Sequence, residues 1–97
     1  MILRKDIGKK MYAISIKPHL DKIFHILAKR NPKQLDIIHK KIEDIAQDPH
    51  RYKNLRYPLN NWKRVHIDKH FVLCFSINEE KKTIILEDYN HHEKIYK

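Results

Sequence analysis

Apolar and polar positions alternate near the start of the chain and then change to a helical spacing. Residues 12–16, YAISI, read as a first strand. Apolar side chains then recur every three or four positions over residues 20–27 and 35–45, which predicts two amphipathic helices. Pro18 and Pro32 suit their first turns, and the join between them is short. We therefore expect an antiparallel helical hairpin whose apolar stripes face a core.

The last third of the chain predicts three more strands. Residues 62–67 alternate, so Trp62, Arg64 and His66 should share one face. Lys63, Val65 and Ile67 should then share the other face. Residues 71–77 are almost all apolar, as expected for a central strand covered on both faces.

A polar turn at residues 78–82 precedes the final strand at residues 83–89, and a basic surface loop fills residues 50–61. Connections this short require antiparallel pairing of the last three strands. The fold class is therefore α+β with the order β-α-α-β-β-β. We expect a small antiparallel sheet with the helical hairpin packed on one face.

Length and charge narrow the possible functions. The chain has 97 residues, enough for one core, and we assign residues 11–97 to a single domain after a flexible basic extension at residues 1–10.

The chain is strongly basic, with 21 Lys and Arg against 12 Asp and Glu and a net charge of +9. A domain this basic usually meets a polyanion or an acidic partner, although simple solubility is the alternative. Residues 51–70 concentrate the excess, with six cations and one carboxylate.

The remaining composition argues against several other classes. Cys74 is the single cysteine, which precludes an intrachain disulfide and fits a cytoplasmic location. No apolar stretch approaches the roughly 20 residues of a membrane span, so we expect no membrane association. His91 and His92 are adjacent, and adjacent side chains on extended backbone diverge. Without a zinc-like ligand spacing, we predict no metal site and no other cofactor.

Candidate chemistry gathers in the last third. Cleaving RNA without a metal ion needs two proton transfers, which histidine serves well, and cationic support for the phosphate, which arginine supplies. Arg64 and His66 should point the same way, and His92 and Tyr96 come just after the last strand. All four residues could meet at one edge of the sheet.

Each of these residues also has a plainer interpretation. His66 could be a solvated surface histidine, Arg64 could pair with Glu87 or Asp88 across the sheet, and Tyr96 could close the core. Composition and spacing alone support a basic α+β domain that binds nucleic acid.

The order of elements and two segments resemble a known family. With RVHIDKHFVLCFSI and TIILEDYNHHEKIY, residues 11–97 look like the RelE superfamily of bacterial and archaeal toxins. Arg64-Val65-His66-Ile67 is similar to the family's basic strand entry, and His92, four residues before Tyr96, is similar to its ending. The segment YPLNNWKRVHI also resembles the HPL-x-G-x-W-x-x-x-x-H-hydrophobic stretch of the YafQ branch.

The resemblance implies a fold and an activity. It implies a RelE-like microbial RNase fold and a ribosome-dependent mRNA endonuclease that uses the 2′-OH as nucleophile. It also implies an acidic, RelB-like cognate antitoxin that forms a hetero-oligomer with the toxin. Carried over by position, His92 and His66 transfer protons, Arg64 supports the phosphate, and Tyr96 positions the substrate. We expect six further residues to contact RNA or its phosphates: Arg51, Lys53, Arg56, Tyr57, Lys63 and His91.

The sequence departs from the family pattern at several positions. Tyr57 and His70 stand where the YafQ branch has histidine and aspartate, and Phe71 stands where many RelE relatives have arginine. Asp88 falls near the position of a phosphate-binding arginine in the YafQ branch. Arg64, Lys63 or Arg56 would substitute for that arginine, or the activity would be weak. Two alternatives stay open: a non-catalytic, ParE-like inhibitor of a topoisomerase, and a basic nucleic-acid-binding module of another class.

Overall fold

The computed structural model describes residues 11–95, and the side chains of residues 11–93. The predicted extension at residues 1–10 and the predicted site residue Tyr96 lie outside the described part. The predicted order of elements is confirmed, and a 3-10 turn and a short last helix are added to it. The elements are β1 (Ala13–Ile16), α1 (Pro18–Arg30), α2 (Pro32–Gln47), a 3-10 turn (Pro49–Arg51), β2 (Lys63–Ile67), β3 (Phe71–Asn78), β4 (Thr83–His91) and α3 (His92–Ile95).

Asn31 forms the joint of the helical hairpin. Its backbone N–H donates to the carbonyl oxygen of Leu27 at 2.8 Å, which ends α1. Its side-chain oxygen accepts from the backbone N–H of Gln34 at 3.2 Å, which caps the start of α2. Pro32 follows at the first helical position, where its missing N–H is not needed. One residue therefore ends the first helix and starts the second.

The sheet has the strand order β1-β4-β3-β2. β2, β3 and β4 pair antiparallel, as their short connections require. β1, however, pairs in parallel with β4, with Ile14 opposite Ile84. The expected small antiparallel sheet is therefore confirmed for β2, β3 and β4, and β1 departs from it. The two helices and two strands between β1 and β4 make a connection long enough for parallel pairing.

The two faces of the sheet are covered differently. The helical hairpin packs on one face, and the main core there includes Phe24, Ile38, Val65, Phe75 and Leu86. The opposite face, called the loop face below, carries a smaller cluster of Val72, Cys74 and Leu55, with Leu59 and Trp62 packed against it. β3 is thus covered on both faces, as its continuous apolar run predicted. Within residues 11–95, no helix has the length and apolar character that crossing a bilayer requires.

Candidate active site

His66 and His92 lie against each other at one end of the sheet. Their rings stack with centroids 5.5 Å apart and planes inclined by 23°. His66 lies on the loop face near the end of β2, and His92 starts α3 directly after β4. Both side chains are exposed. The structure thus brings together the two histidines that the strand pattern placed near one edge, and their catalytic roles stay predictions.

Backbone and ring contacts fix the position of His92. Its N–H donates to the carbonyl oxygen of His70 at 2.8 Å, which joins the start of α3 to the turn between β2 and β3. The ring of the preceding residue, His91, instead packs on Phe71 at 4.4 Å. The two adjacent histidines therefore contact different neighbours. Among the described residues, no three His, Cys, Asp or Glu side chains are arranged to hold a metal ion.

Aromatic packing behind the histidines connects this end of the sheet to the helices. Phe71 stacks on Tyr89 with centroids 5.1 Å apart. The buried side-chain amide of Gln34, in α2, donates to the Tyr89 hydroxyl at 2.7 Å. Burial raises the pKa of Tyr89, so this phenol stays a neutral hydrogen-bonding group. The end of β4, from which His92 emerges, is therefore fixed by packing and by a buried hydrogen bond.

A surface groove of about 610 Å³ opens at the histidine pair. Its side chains provide four imidazoles, one ammonium and one carboxylate. This composition suits an anionic phosphodiester, because imidazoles can exchange protons and an ammonium attracts the charge. The lining residues are His66, Lys69, His70, His91, His92 and Glu93.

A second hollow of about 230 Å³ adjoins the first and contains most of the nearby arginine and lysine charge. Arg51, Lys53 and Arg64 line it together with His66, which also lines the groove. The backbone N–H of Arg64 donates to the carbonyl oxygen of Lys53 at 3.1 Å, so the loop runs beside β2 here. His66 therefore stands between a cationic hollow and the histidine groove.

The remaining predicted RNA-binding residues fall into two groups. The Lys63 ammonium donates to the carbonyl oxygen of Tyr52 and to the side-chain oxygen of Asn54, both at 2.9 Å. A phosphate contact for Lys63 stays a prediction, and it would require these bonds to the loop to open. Arg56 and Tyr57 lie at the exposed tip of the loop, and Tyr57 is 87% exposed.

β4 carries carboxylates where the YafQ-like pattern has arginine. Cys74 of β3 lies opposite Asp88, and the next residue, Phe75, lies opposite Leu86. Glu87 is therefore the extra residue of a bulge in β4. Glu87 accepts from the Ser76 hydroxyl at 2.6 Å and pairs with Lys17 at 3.0 Å. Asp88 lies 3.6 Å from His19. The cations near the histidine pair therefore come from β2, the loop before it and the turn after it, not from β4.

Cys74 is not suited to act as a nucleophile. It is fully buried and occupies the same cross-strand row as Arg64 and Asp88. Burial, with a further contribution from Asp88, raises the pKa of its thiol to about 12. The thiolate is the reactive form, so this cysteine is inert near neutral pH.

Sequence reasoning missed several residues of this site. Lys69, His70 and Glu93 line the groove but were not among the predicted site residues. The sequence did contain one signal for Lys69 and His70. Both lie in the turn between β2 and β3, and a hairpin turn lies beside the strand ends that it joins, so both residues had to lie near His66. The packing of Phe71 on Tyr89 and His91 had no such signal, because it depends on the register between β3 and β4.

A separate titratable cluster lies at the opposite end of the sheet. The Glu79 carboxylate accepts hydrogen bonds from the Lys82 ammonium and the Tyr12 hydroxyl, both at 2.7 Å, and from the His50 ring. These contacts join the start of β1, the 3-10 turn and the β3–β4 turn. Bonding to Lys82, then to Tyr12 and His50, lowers the pKa of Glu79 from its ordinary 4.5 to about 2.

We expect the Glu79 carboxyl to titrate near pH 2 in the folded protein. A lowered pKa stabilises the fold above the ordinary value, and this contribution declines as the pH falls from 4.5 toward 2. Carboxyl-carbon NMR of the folded protein measures the midpoint directly. The Lys82→Ala variant should shift it upward. A midpoint near 4.5 in the unmodified protein would contradict the expected hydrogen bonding.

Comparison with known proteins agrees with the fold and with the family resemblance. The family model described as the ParE toxin of the type II toxin-antitoxin system, parDE, matches residues 11–96. An uncharacterized protein of Methanosarcina mazei is 59% identical over 86 residues, which cover 89% of this chain and all of that protein. A Methanocaldococcus jannaschii protein named "Putative toxin RelE4" is 59% identical over 87 residues, or 90% of this chain and 93% of that protein.

Solved structures show the same fold. A chain of the toxin-antitoxin complex RelBE2 from Mycobacterium tuberculosis superposes with a TM-score of 0.72 at 20% identity, over 86% of this chain and 93% of that chain. A conserved hypothetical protein from Helicobacter pylori superposes with a TM-score of 0.57 at 20% identity, over 88% and 99%. Fold and sequence together define a small α+β toxin. The chain belongs to the ParE toxin family, within the RelE/ParE superfamily of type II toxin-antitoxin toxins, which confirms the resemblance read from its sequence.

Proposed function

We propose that this toxin is a ribosome-dependent mRNA endonuclease. The stacked pair of His66 and His92, 5.5 Å apart, carries the proposal. One imidazole accepts the proton of the 2′-OH, whose oxygen attacks the adjacent phosphorus. The bond from phosphorus to the 5′ oxygen breaks, and the other imidazole, in its protonated form, gives that oxygen a proton. The products are a 2′,3′-cyclic phosphate and a 5′-hydroxyl end.

The charge of the phosphate is matched on both sides of the histidine pair. Arg64, with Arg51 and Lys53, lines the hollow on one side of His66. Lys69 lines the groove on the other side. Cations fixed beside the scissile phosphate stabilise the additional negative charge of the pentacoordinate state. Arg64 thereby takes the place of the β4 arginine that Asp88 replaces, and Tyr96 would position the substrate beside His92.

The same proposal assigns the partners and the location. The toxin acts in the cytoplasm on mRNA held by the ribosome, where its net charge of +9 favours contact with RNA phosphates. A cognate, acidic RelB-like antitoxin covers the cationic surface in a toxin-antitoxin hetero-oligomer and prevents cleavage. Charge complementarity supports this pairing, since opposite potentials speed encounter and fix orientation.

A ParE-like action on a topoisomerase, without catalysis, is the second candidate. Two observations favour it: the matching family model is that of the ParE toxin, and β4 carries Glu87 and Asp88 in place of a cation. The stacked histidines argue against it, because a binding-only inhibitor needs no pair of proton carriers at one edge of its sheet.

Mapping mRNA ends after induction separates the candidates. In growing cells we expect new 5′ ends within translated regions, and we expect them to disappear when ribosomes are kept off the message. A change in DNA supercoiling without new mRNA ends would instead support the ParE-like inhibition of a topoisomerase. Salt-sensitive binding to naked nucleic acid, with neither effect, would assign a nucleic-acid-binding module of another class.

A further inference from the structure

The loop before β2 is attached to the loop face by both packing and hydrogen bonds. Leu55 is buried against Val72 and Cys74, and Leu59 and Trp62 pack beside it. The backbone N–H of Leu55 donates to the carbonyl oxygen of Trp62 at 2.8 Å. The loop therefore has a defined conformation and is not a loose connection.

Hydrogen bonds also shape the tip of this loop. The backbone N–H of Leu59 donates to the carbonyl oxygen of Arg56 at 2.9 Å, which closes a turn around Tyr57 and the residue after it. The Asn54 side-chain amide donates to the carbonyl oxygen of Asn60 at 2.6 Å. The turn that carries Tyr57 is thus internally bonded.

Tyr57 projects from this turn into solvent. It is 87% exposed, whereas the other large apolar residues of the loop pack toward the sheet. An isolated exposed aromatic is common on protein surfaces and needs no explanation. A ring carried by a hydrogen-bonded turn is different, because binding a partner there would order only two side-chain torsions.

The surroundings of Tyr57 indicate what it would bind. Val72, against which the loop packs, is the cross-strand partner of His66, so the loop lies beside the histidine pair on the same face. Residues 49–67 contain five Lys and Arg and no Asp or Glu. An aromatic ring among cations is the usual arrangement for single-stranded nucleic acid, with phosphates on the cations and a base on the ring.

We propose that Tyr57 stacks on an unpaired nucleobase of the RNA whose phosphate lies at the histidine pair. This inference rests on the proposed function and adds a substrate class to it. Because a base within a duplex offers no free face, the bound segment must be single-stranded beside the cleavage position. Phosphate contacts alone would not distinguish single from double strands in this way.

Binding of a short 2′-O-methyl RNA tests the inference, since that RNA lacks the nucleophile and stays intact. One position carries 2-aminopurine, whose fluorescence falls on stacking, and a matched RNA is abasic at that position. The full-length protein should quench the fluorescence. Tyr57→Phe should bind like the unmodified protein, and Tyr57→Ala should bind about tenfold more weakly. The abasic RNA should bind the unmodified protein as weakly as the intact RNA binds Tyr57→Ala.

Arg56→Gln is the matched control for phosphate contact. This variant should weaken the binding of both RNAs by the same factor, and it should reduce the slope of log affinity against log salt by about 0.7. Equal affinity of Tyr57→Ala and Tyr57→Phe, with Arg56→Gln still weakened, would overturn the stacking and leave the proposed nuclease standing. No binding of either RNA would overturn the inference outright. RNA binding that depends on Tyr57, without mRNA cleavage in cells, would contradict the proposed nuclease activity and leave the stacking of Tyr57 in place.

Discussion

Replacing His92 with alanine is expected to lower the rate of mRNA cleavage by about 10²–10⁴-fold, the contribution of a positioned acid or base. His66→Ala should have an effect in the same range, because the two rings stack and would share one proton-transfer cycle. The double variant should be about as inactive as either single variant, since residues that act as a unit give non-additive losses. Cleavage in a translating extract measures all three.

His39→Ala is the matched control for these variants. His39 is an exposed histidine on α2, away from the groove lining, and its loss should leave cleavage unchanged. The folded state should persist in every case, because exposed substitutions usually change stability by no more than about 0.5 kcal/mol. Full cleavage by a folded His92→Ala protein would remove His92 from the catalytic role.

Replacing Arg64 with glutamine is expected to lower the cleavage rate by about 10²–10³-fold, the effect of losing one preorganised donor to a developing negative charge. The loss should appear mainly in kcat rather than KM, since the charge of the phosphate rises in the transition state. Arg64→Lys should retain part of the activity, because it keeps the charge and loses the planar fork. Single-turnover cleavage on programmed ribosomes gives both parameters.

Thermal unfolding must accompany this measurement, because Arg64 is half-buried and shares a cross-strand row with Cys74 and Asp88. Arg30→Gln, at the exposed end of α1, is the charge-matched control and should cleave normally. A stable Arg64→Gln protein with unchanged kcat would move the phosphate support elsewhere. Arg51 and Lys53, which line the same hollow, would then be the residues to replace.

The strand pattern predicted much of the candidate site. Alternation over β2 placed Arg64 and His66 on one face, and the structure agrees. The position of His92 just after β4 followed from the short connections, which require a meander. Sequence left open whether His66 would be an isolated surface histidine. Stacking with His92 answers that point, because it depends on how β2 and α3 meet across the start of β3.

Other features could not be read from local patterns. The bulge in β4 makes Glu87 an extra residue in the pairing with β3 and places Asp88 opposite Cys74, and a bulge depends on pairing between strands. The cluster around Glu79 joins residues 67 positions apart in the chain, Tyr12 and Glu79. The bonds from the Lys63 ammonium to Tyr52 and Asn54 of the loop likewise had no signal in the spacing of the residues.

The sequence by itself determined the two long helices, the four strands, their order and the basic character of residues 51–70, because each depends on composition and short-range periodicity. The family resemblance came instead from particular motifs in the last third of the chain. Only the tertiary structure decided the parallel position of β1, the contact between His66 and His92, and the exposure of Tyr57. These depend on strand register and on which side chains find room in the two cores. Register and packing are set by contacts between distant parts of the chain, and no local window contains them.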